Sequence, residues 1–183
     1  ISDDAIYSME ALKVFCRKQV EEKGIQLLVI DYIQLLASRR YRHNRESEIA
    51  YISKTLKLIA RELKIAIVCT SQVSRMVEQR GGEKRPILSD LRESGAIEQD
   101  ADKVLFLYRP EYYGFRMDEE GRSTAGIADV IIAKNRRGPL TTVTLSVDFV
   151  GQGFSDFKAY NSGIVLDQKR LNESGLGEED KPF

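Results

Sequence analysis

The sequence has no net charge, few cysteines and no long apolar run, and each absence excludes a class of protein. Its 28 basic side chains balance 28 acidic ones, so a site for nucleic acid must be a local feature. The two cysteines, Cys16 and Cys69, fall in apolar patterns, which favours reduced core thiols over a disulfide framework. No apolar run approaches the roughly 18 residues of a membrane span, and we expect no signal peptide before the fold. We therefore expect a soluble, cytoplasmic protein with no membrane partner.

The 183 residues are enough for one domain with a single core, and their apolar spacing predicts alternating helices and strands. Spacings of three and four residues indicate helices, and short apolar runs indicate buried strands. In chain order, the predicted elements are a helix between Ser8 and Gly24, a strand at residues 25–30, a long helix from Asn44 to Leu63, strands at residues 65–69 and 104–107, and a hairpin of strands at residues 128–133 and 142–147.

This order predicts an α/β layered domain at residues 1–157, with a mostly parallel sheet, helices on both faces and a C-terminal antiparallel hairpin. Two long polar loops, at residues 37–48 and 73–88, interrupt it, and loops above about 12 residues inside compact domains are usually functional or disordered. Residues 158–183 are rich in Gly, Ser, Asn, Asp and Glu, which predicts a flexible tail.

Polar residues follow two of the predicted strands. Asp31 closes the first strand, and ligands of open α/β sheets bind outside such strand ends. A carboxylate there can hold a hydrated Mg²⁺ that bridges nucleotide phosphates. Gln72 follows the second strand and lies beside Asp31 if the two strands are neighbours. Taken alone, Asp31 is equally compatible with an ordinary cap or turn residue, and Gln72 with a residue that caps free backbone groups.

A highly charged segment at residues 90–102 leads directly into the strand predicted at 104–107. Its Ser94-Gly95 pair lets backbone N–H groups approach an anion without an intervening Cβ atom, and Arg92 can reach a phosphate through charge-assisted hydrogen bonds. In the loop before it, Arg80 and Arg85 suit a position near phosphate. Composition alone favours the alternative, a salt-bridged surface helix.

The predicted hairpin ends in Lys134-Asn135-Arg136-Arg137-Gly138-Pro139. Cations at a tight hairpin tip lie far from their own core, so their natural partner is on another molecule. A solubilising turn is the alternative interpretation.

Together, the Asp-Tyr-Ile-Gln-Leu run that starts at Asp31, the segment at residues 90–102 and the basic hairpin resemble the motor domain of DnaB-type replicative helicases, which are ring-shaped RecA-like ATPases. The resemblance covers residues 1–157, the second half of that domain. It implies a RecA-like fold that is incomplete because the phosphate-loop half is absent. It also implies ATP and Mg²⁺ as cofactors, single-stranded DNA as a ligand and a hexameric ring, and it admits a primase and a helicase loader as partners.

The resemblance also implies roles for individual residues near the strand ends. Asp31 would hold Mg²⁺, and Gln72 would face the terminal phosphate and relay its presence to the DNA loops. Arg92, Glu93 and Gly95 would contact the backbone of single-stranded DNA in the central channel. Contacts to the DNA backbone carry no base sequence information, which suits a motor that moves over any sequence.

The hairpin would act on a neighbouring subunit. Lys134, Asn135 and Arg136 would enter that subunit's ATP site, with Arg136 as an arginine finger on the transition-state charge. Arg137 replaces the usual Asn of the family pattern Lys-x-Arg-Asn-Gly, which leaves open whether Arg136 alone is the finger. Arg109 matches a family position beside the adenine.

The sequence contains no phosphate loop of the form Gly-x-x-x-x-Gly-Lys-Ser/Thr. In the resembling family this loop and the catalytic glutamate lie upstream of the matching region, so we expect a fragment or a split half that does not hydrolyse ATP alone. One alternative is a recombinase or clock-type RecA relative, in which the full segment at residues 90–102 is not expected. Another is a non-catalytic DNA-binding or ring-assembly remnant, which has no physical need for Asp31, Gln72 and Arg136.

Overall fold

The computed structural model describes residues 8–38, 41 and 44–157, and for residues 92–94 it describes the backbone only. Its helices are α1 (Met9–Lys23), α2 (Arg45–Leu63), α3 (Met76–Gln79) and α4 (Gly95–Asp100). Its strands are β1 (Leu27–Ile30), β2 (Ala66–Cys69), β3 (Lys103–Tyr108), β4 (Ile127–Asn135), β5 (Thr141–Asp148) and β6 (Gly153–Asp156). Short 3₁₀ helices span Ile33–Leu35, Leu88–Ser94 and Pro110–Tyr113. The tail predicted at residues 158–183 lies outside the described residues, and within them no helix is long and apolar enough to cross a membrane.

The two long helices begin and end as the sequence predicts. The Ser8 side chain accepts a hydrogen bond from the third residue of α1 at 3.2 Å, and Asn44 does the same for α2 at 3.0 Å. Gly24 ends α1 in the left-handed conformation, with φ of 62°. Because α2 begins at Arg45, it takes up the end of the loop predicted at residues 37–48, of which residues 39, 40, 42 and 43 lie outside the described residues.

The main core lies where α1 and α2 pack against β1, β2 and the turn after β1. The apolar stripe predicted for α2 is buried there, as is Cys16 of α1. Cys69, at the end of β2, is exposed, so the expectation that both thiols lie in the core is wrong for this one. The buried residues of this core are Met9, Leu12, Cys16, Ile33, Leu36, Ile49, Ile52, Leu56, Ile59 and Ile65.

The described strands form two sheets. β1 and β2 pair in parallel, from Leu27 opposite Ala66 to Ile30 opposite Cys69. The other four strands form an antiparallel sheet in the order β3-β4-β5-β6, which includes the predicted hairpin of β4 and β5. Parallel strand ends therefore meet at one edge, directly after Ile30 and Cys69.

Parallel and antiparallel pairing are divided between the two sheets of the described chain. Among the described strands, parallel pairing is limited to β1 and β2, whereas β3 pairs antiparallel with β4. Leu27 and Leu107 are 55% and 67% exposed, so one face of β1 and one of β3 have no cover within the described part of the chain. Apolar residues on both faces permit cover on both sides, but they specify neither the covering segment nor the partner strand.

A buried carboxylate joins the turn after β1 to the start of α2. Glu48 accepts a hydrogen bond from the backbone N–H of Ser38 at 2.8 Å and one from Arg45 Nη1 at 2.6 Å. Burial raises the pKa of Glu48, but the hydrogen bonds from Ser38 and Arg45 together outweigh it, so the pKa lies below its ordinary value. The ionised form is therefore the one that stabilises this connection.

We predict that Glu48→Gln lowers the free energy of unfolding at pH 7 and that this difference from wild type shrinks in acid. A depressed pKa in the folded state contributes stability that is full above the unfolded pKa of about 4.3 and is lost as pH falls through the folded pKa. Urea unfolding of both proteins at pH 7 and pH 3 measures this. Glu46→Gln, at an exposed position in the same helical turn, is the control and should differ little from wild type at either pH. A Glu48→Gln difference that is equal at both pH values would contradict the prediction.

Candidate functional site

The parallel pairing of β1 and β2 brings Asp31 and Thr70 together at the carboxyl end of the sheet. The backbone N–H of Thr70 donates to the carbonyl of Ile30 at 3.0 Å, and the Thr70 hydroxyl donates to Oδ1 of Asp31. Asp31 is exposed, and within the described residues its Oδ2 has no hydrogen-bond partner. One open carboxylate beside a hydroxyl fits Mg²⁺, which keeps several waters and takes one or two carboxylates plus phosphates. The described residues contain no cage of three or more His, Cys, Asp or Glu that would suit another mode of metal binding.

Gln34 holds the residues that follow β2, Ser71 and Gln72, a role that the sequence analysis missed. Its Nε2 atom donates to Ser71 Oγ at 3.0 Å and lies 3.5 Å from the carbonyl of Gln72. The carbonyl of Gln34 in turn accepts from Arg45 Nη2 at 2.5 Å. These contacts hold the strand end that carries Gln72, whose own side chain is exposed. The available signal was the position of Gln34 three residues after Asp31, which places it beside the same strand end.

The loop after Gln72 is joined directly to the start of the charged segment. The backbone N–H of Ser74 donates to the carbonyl of Asp90 at 3.0 Å. The Asp90 side chain, only 5% exposed, pairs with Arg80 through one oxygen and accepts the backbone N–H of Ile87 at 2.7 Å through the other. Arg80 also donates to the carbonyl of Arg85 at 3.0 Å. A buried carboxylate therefore determines the path of the chain between the strand end and the charged segment.

Arg85 is also bound within the chain. Its Nη1 atom lies 2.8 Å from the buried carboxylate of Asp129, which also accepts from the Thr144 hydroxyl at 2.8 Å. The Arg85 guanidinium lies over the Tyr108 ring at 5.3 Å. Both guanidinium groups therefore pair with carboxylates that would otherwise be buried without compensation, an intrachain role that the sequence analysis did not predict.

The charged segment forms the 3₁₀ helix Leu88–Ser94 followed by α4. Leu91, which is buried, packs with Val104 and Phe106 of β3 and so anchors the segment to the second sheet. Gly95 has ordinary helical angles, φ −51° and ψ −26°, and a Cβ atom built on it meets no atom within 4 Å. Nothing in the described chain therefore requires glycine at this position. The side chains of Arg92 and Glu93 lie outside the described part of the structure.

The basic hairpin lies against the end of α4 and does not project freely. The Lys134 ammonium donates to the carbonyl of Glu98 and, at 3.2 Å, to that of Gln99. Arg136 Nη2 donates to the same Gln99 carbonyl at 2.5 Å. Free carbonyls at a helix end are favourable partners for cations. Both side chains therefore bind the helix that ends the charged segment, a contact that the sequence analysis did not predict, and Arg136 remains partly exposed.

The other two predicted nucleotide contacts have different surroundings. Asn135 closes the hairpin turn, with Nδ2 3.2 Å from the carbonyl of Pro139 and Oδ1 3.4 Å from the backbone nitrogen of Arg137. Arg109 follows β3, and its guanidinium lies 4.4 Å from the centre of the Phe149 ring. Its Nε atom is buried without a described hydrogen-bond partner. Asp31 and Gln72 therefore lie at one sheet edge, Lys134 and Arg136 lie on α4, and Arg109 shares no described hydrogen bond with either group.

Comparison with known proteins gives consistent matches over most of the chain. The family model described as DnaB-like helicase C terminal domain matches residues 1–157. The replicative DNA helicase DnaB of Geobacillus stearothermophilus is 42% identical over 177 residues, which are 96% of this chain and 36% of that protein. This chain therefore spans little more than a third of the length of that curated relative.

Two solved structures extend the likeness to the fold. One is an ATPase domain that is 40% identical with a TM-score of 0.75, over 85% of this chain and 54% of that one. The other, a DnaB-like replicative helicase solved with its interactions with primase, is 41% identical with a TM-score of 0.76, over 86% of this chain and 38% of that one. These likenesses confirm the RecA-like α/β fold predicted from the sequence.

We predict that Arg80→Ala lowers the free energy of unfolding of the chain by about 2–3 kcal/mol. The substitution leaves the Asp90 carboxylate buried without its cation. Because Arg80 is partly exposed, the expected loss of stability is smaller than the loss for a fully buried pair. Arg75→Ala is the matched control, because Arg75 is an exposed arginine of the same loop without an ion pair among the described residues. It should change stability by less than about 0.5 kcal/mol. Denaturant titration measures both, and equal losses would show that the buried pair is unimportant.

Proposed function

The chain belongs to the DnaB-like helicase C-terminal domain family, and on that premise we propose that it forms the second half of the motor domain of a hexameric replicative helicase. The whole protein couples ATP hydrolysis to translocation on single-stranded DNA and to duplex unwinding during replication. It works in the cytoplasm. Because residues 1–183 contain no phosphate loop, ATP turnover belongs to the whole protein and not to this chain alone.

One contact carries the proposal, the 3.0 Å hydrogen bond from the Ser74 N–H to the Asp90 carbonyl. On one side of it, two residues away, is Gln72 at the strand end beside Asp31. On the other side is the segment that contains Arg92, Glu93 and Gly95. A motor needs a short, stiff connection between the site where the nucleotide is hydrolysed and the site where DNA is held. This contact is such a connection.

The strand end serves the nucleotide in this proposal. Asp31 holds Mg²⁺, which neutralises charge on the nucleotide phosphates when it is bound. Gln72 faces the terminal phosphate with its exposed side chain, and its carbonyl lies 3.5 Å from Nε2 of Gln34. The loop from Gln72 to Ser74 connects this position to Asp90. The open Oδ2 of Asp31 and the Thr70 hydroxyl beside it support this assignment.

The hairpin serves the nucleotide of the neighbouring subunit. Lys134, Asn135 and Arg136 complete that site, with Arg136 as the finger, and Arg109 lies beside the adenine of its own subunit's nucleotide. The exposed position of Arg136 at the hairpin supports the assignment. The Lys134 ammonium uses two of its three N–H donors on carbonyls of α4, so one donor remains for a neighbouring subunit.

Two rival functions are less well supported. A recombinase or clock-type RecA relative would not be expected to match a DnaB-like helicase model over residues 1–157. A non-catalytic DNA-binding or ring-assembly remnant has no need for the contacts that hold Asp31, Thr70 and Gln34 at the strand end. The interactions with primase of one solved relative support a primase as a partner of this chain, and we propose a helicase loader as a further partner.

Gly95→Ala tests the DNA contact without disturbing the fold. Because the added methyl group meets open space and alanine favours helix, the free energy of unfolding should stay unchanged or rise by up to about 1 kcal/mol. If a DNA phosphate lies against this backbone, the Cβ atom separates the two, and affinity for a labelled thymidine oligonucleotide should fall about tenfold, or about 1.4 kcal/mol. Fluorescence anisotropy with the assembled helicase measures this.

Two further variants make the result specific. Gly81→Ala is the matched control, since Gly81 also has open space and no positive φ, and it should bind DNA like wild type. Arg92→Ala removes a charge, so it should reduce the slope of log affinity against log salt by about one, whereas Gly95→Ala should leave the slope unchanged. Wild-type affinity in Gly95→Ala would remove this backbone from the DNA site.

A further inference from the structure

Asp102, between α4 and β3, is the acidic residue of an otherwise cationic cleft of about 600 Å³. The Asp102 carboxylate forms a hydrogen bond with the Lys57 ammonium and lies 3.6 Å from Arg136 Nη1. The Lys57 hydrogen bond, with added charge from Lys57, Arg136 and Arg137, holds the pKa of Asp102 below its ordinary value against a weaker effect of burial. Asp102 is therefore ionised at neutral pH. The other residues that line the cleft are Lys57, Arg61, Lys103, Asn135, Arg136 and Arg137.

Both the backbone and the side chain of Arg136 contact Asp102. Its backbone N–H donates to the Asp102 carbonyl at 3.0 Å, which fixes where the side chain leaves the hairpin. Its guanidinium then lies between the Asp102 carboxylate and the Gln99 carbonyl, 2.5 Å from the latter. The side chain still has 48% of its surface exposed.

The arrangement leaves the guanidinium able to bind a further anion. A guanidinium has five N–H donors in a rigid fork, and the described contacts use only one or two of them. The remaining donors can contact phosphate oxygens without release of Asp102 or Gln99. A long side chain fixed in advance loses less conformational freedom when it binds, so its interaction with a developing charge is stronger.

We propose that Asp102 is a positioning residue for the arginine finger: with the Gln99 carbonyl it holds the Arg136 guanidinium in place for the phosphates of the nucleotide bound by the neighbouring subunit. The inference rests on the proposed function. It also places the support of the finger at the end of α4, which begins at Gly95. This helix belongs to the charged segment at residues 90–102, named the DNA-facing segment for its proposed role. The finger and the DNA-facing segment then share one helix.

The test is steady-state ATP hydrolysis by the assembled helicase with saturating thymidine oligonucleotide. Arg136→Ala should lower kcat about a thousandfold, as expected for loss of a finger. Asp102→Asn, which keeps the shape but removes the charge, should lower kcat about tenfold with the KM for ATP unchanged, because the finger acts on the transition state. Asp102→Glu should restore part of the loss. Asp102→Asn added to Arg136→Ala should cost nothing further, because its effect passes through Arg136.

Lys103→Met is the matched control, because it removes a cation of the same cleft that has no ion pair among the described residues and leaves Asp102, Lys57 and Arg136 in place. It should keep kcat within about twofold. Wild-type kcat in Asp102→Asn, an equal loss in Lys103→Met, or a further tenfold loss in the double variant would each overturn the positioning role. Full activity in Arg136→Ala would instead refute the finger itself, and with it both this inference and that part of the proposed function.

Discussion

Burial of the Asp90 carboxylate constrains the rest of the site. A carboxylate that is only 5% exposed is very costly unless it is paired and hydrogen-bonded. Arg80 and the Ile87 N–H meet that requirement, and they do so only if the loop after Gln72 turns back on itself. Once the loop has turned back, the Ser74 N–H lies on the Asp90 carbonyl. The path from the strand end to the DNA-facing segment is thus set by one buried charge.

The DNA-facing segment is held at both of its ends. Its start is connected to the strand end through Asp90, and near its end the Gln99 carbonyl accepts from Lys134 and Arg136 of the hairpin. Leu91 anchors it to the second sheet between these points. In the proposed ring, a displacement of this segment by DNA would therefore change the surroundings of two nucleotides. One is bound by the same subunit and is reached through Ser74. The other is bound by the neighbouring subunit and is reached through Arg136. That arrangement suits a motor in which one DNA strand passes in sequence along several subunits.

Local features were predictable from the sequence, whereas long-range partners were not. The caps Ser8 and Asn44 and the position of Asp31 follow from residues within a few positions of each other. The pairing of Arg85 with Asp129, 44 residues away, leaves no local pattern. For the same reason the antiparallel partner of β3 and the contact of Lys134 with α4 were missed. The nucleotide roles of Gln72 and Arg136 came from family resemblance, because an exposed glutamine or arginine by itself specifies no ligand.

The central claim is that the strand end and the DNA-facing segment move as one unit because the Arg80–Asp90 pair holds the Ser74 N–H on the Asp90 carbonyl. The direct measurement is the factor by which a non-hydrolysable ATP analogue changes the affinity of the assembled helicase for single-stranded DNA, in wild type and in Arg80→Lys. Lysine keeps a cation on Asp90 but lacks the planar fork that contacts Asp90 and the Arg85 carbonyl at the same time. Typical coupling factors are about 5- to 150-fold. The account predicts a factor near one in Arg80→Lys with DNA affinity unchanged in the absence of nucleotide, and full wild-type coupling in that variant would contradict it.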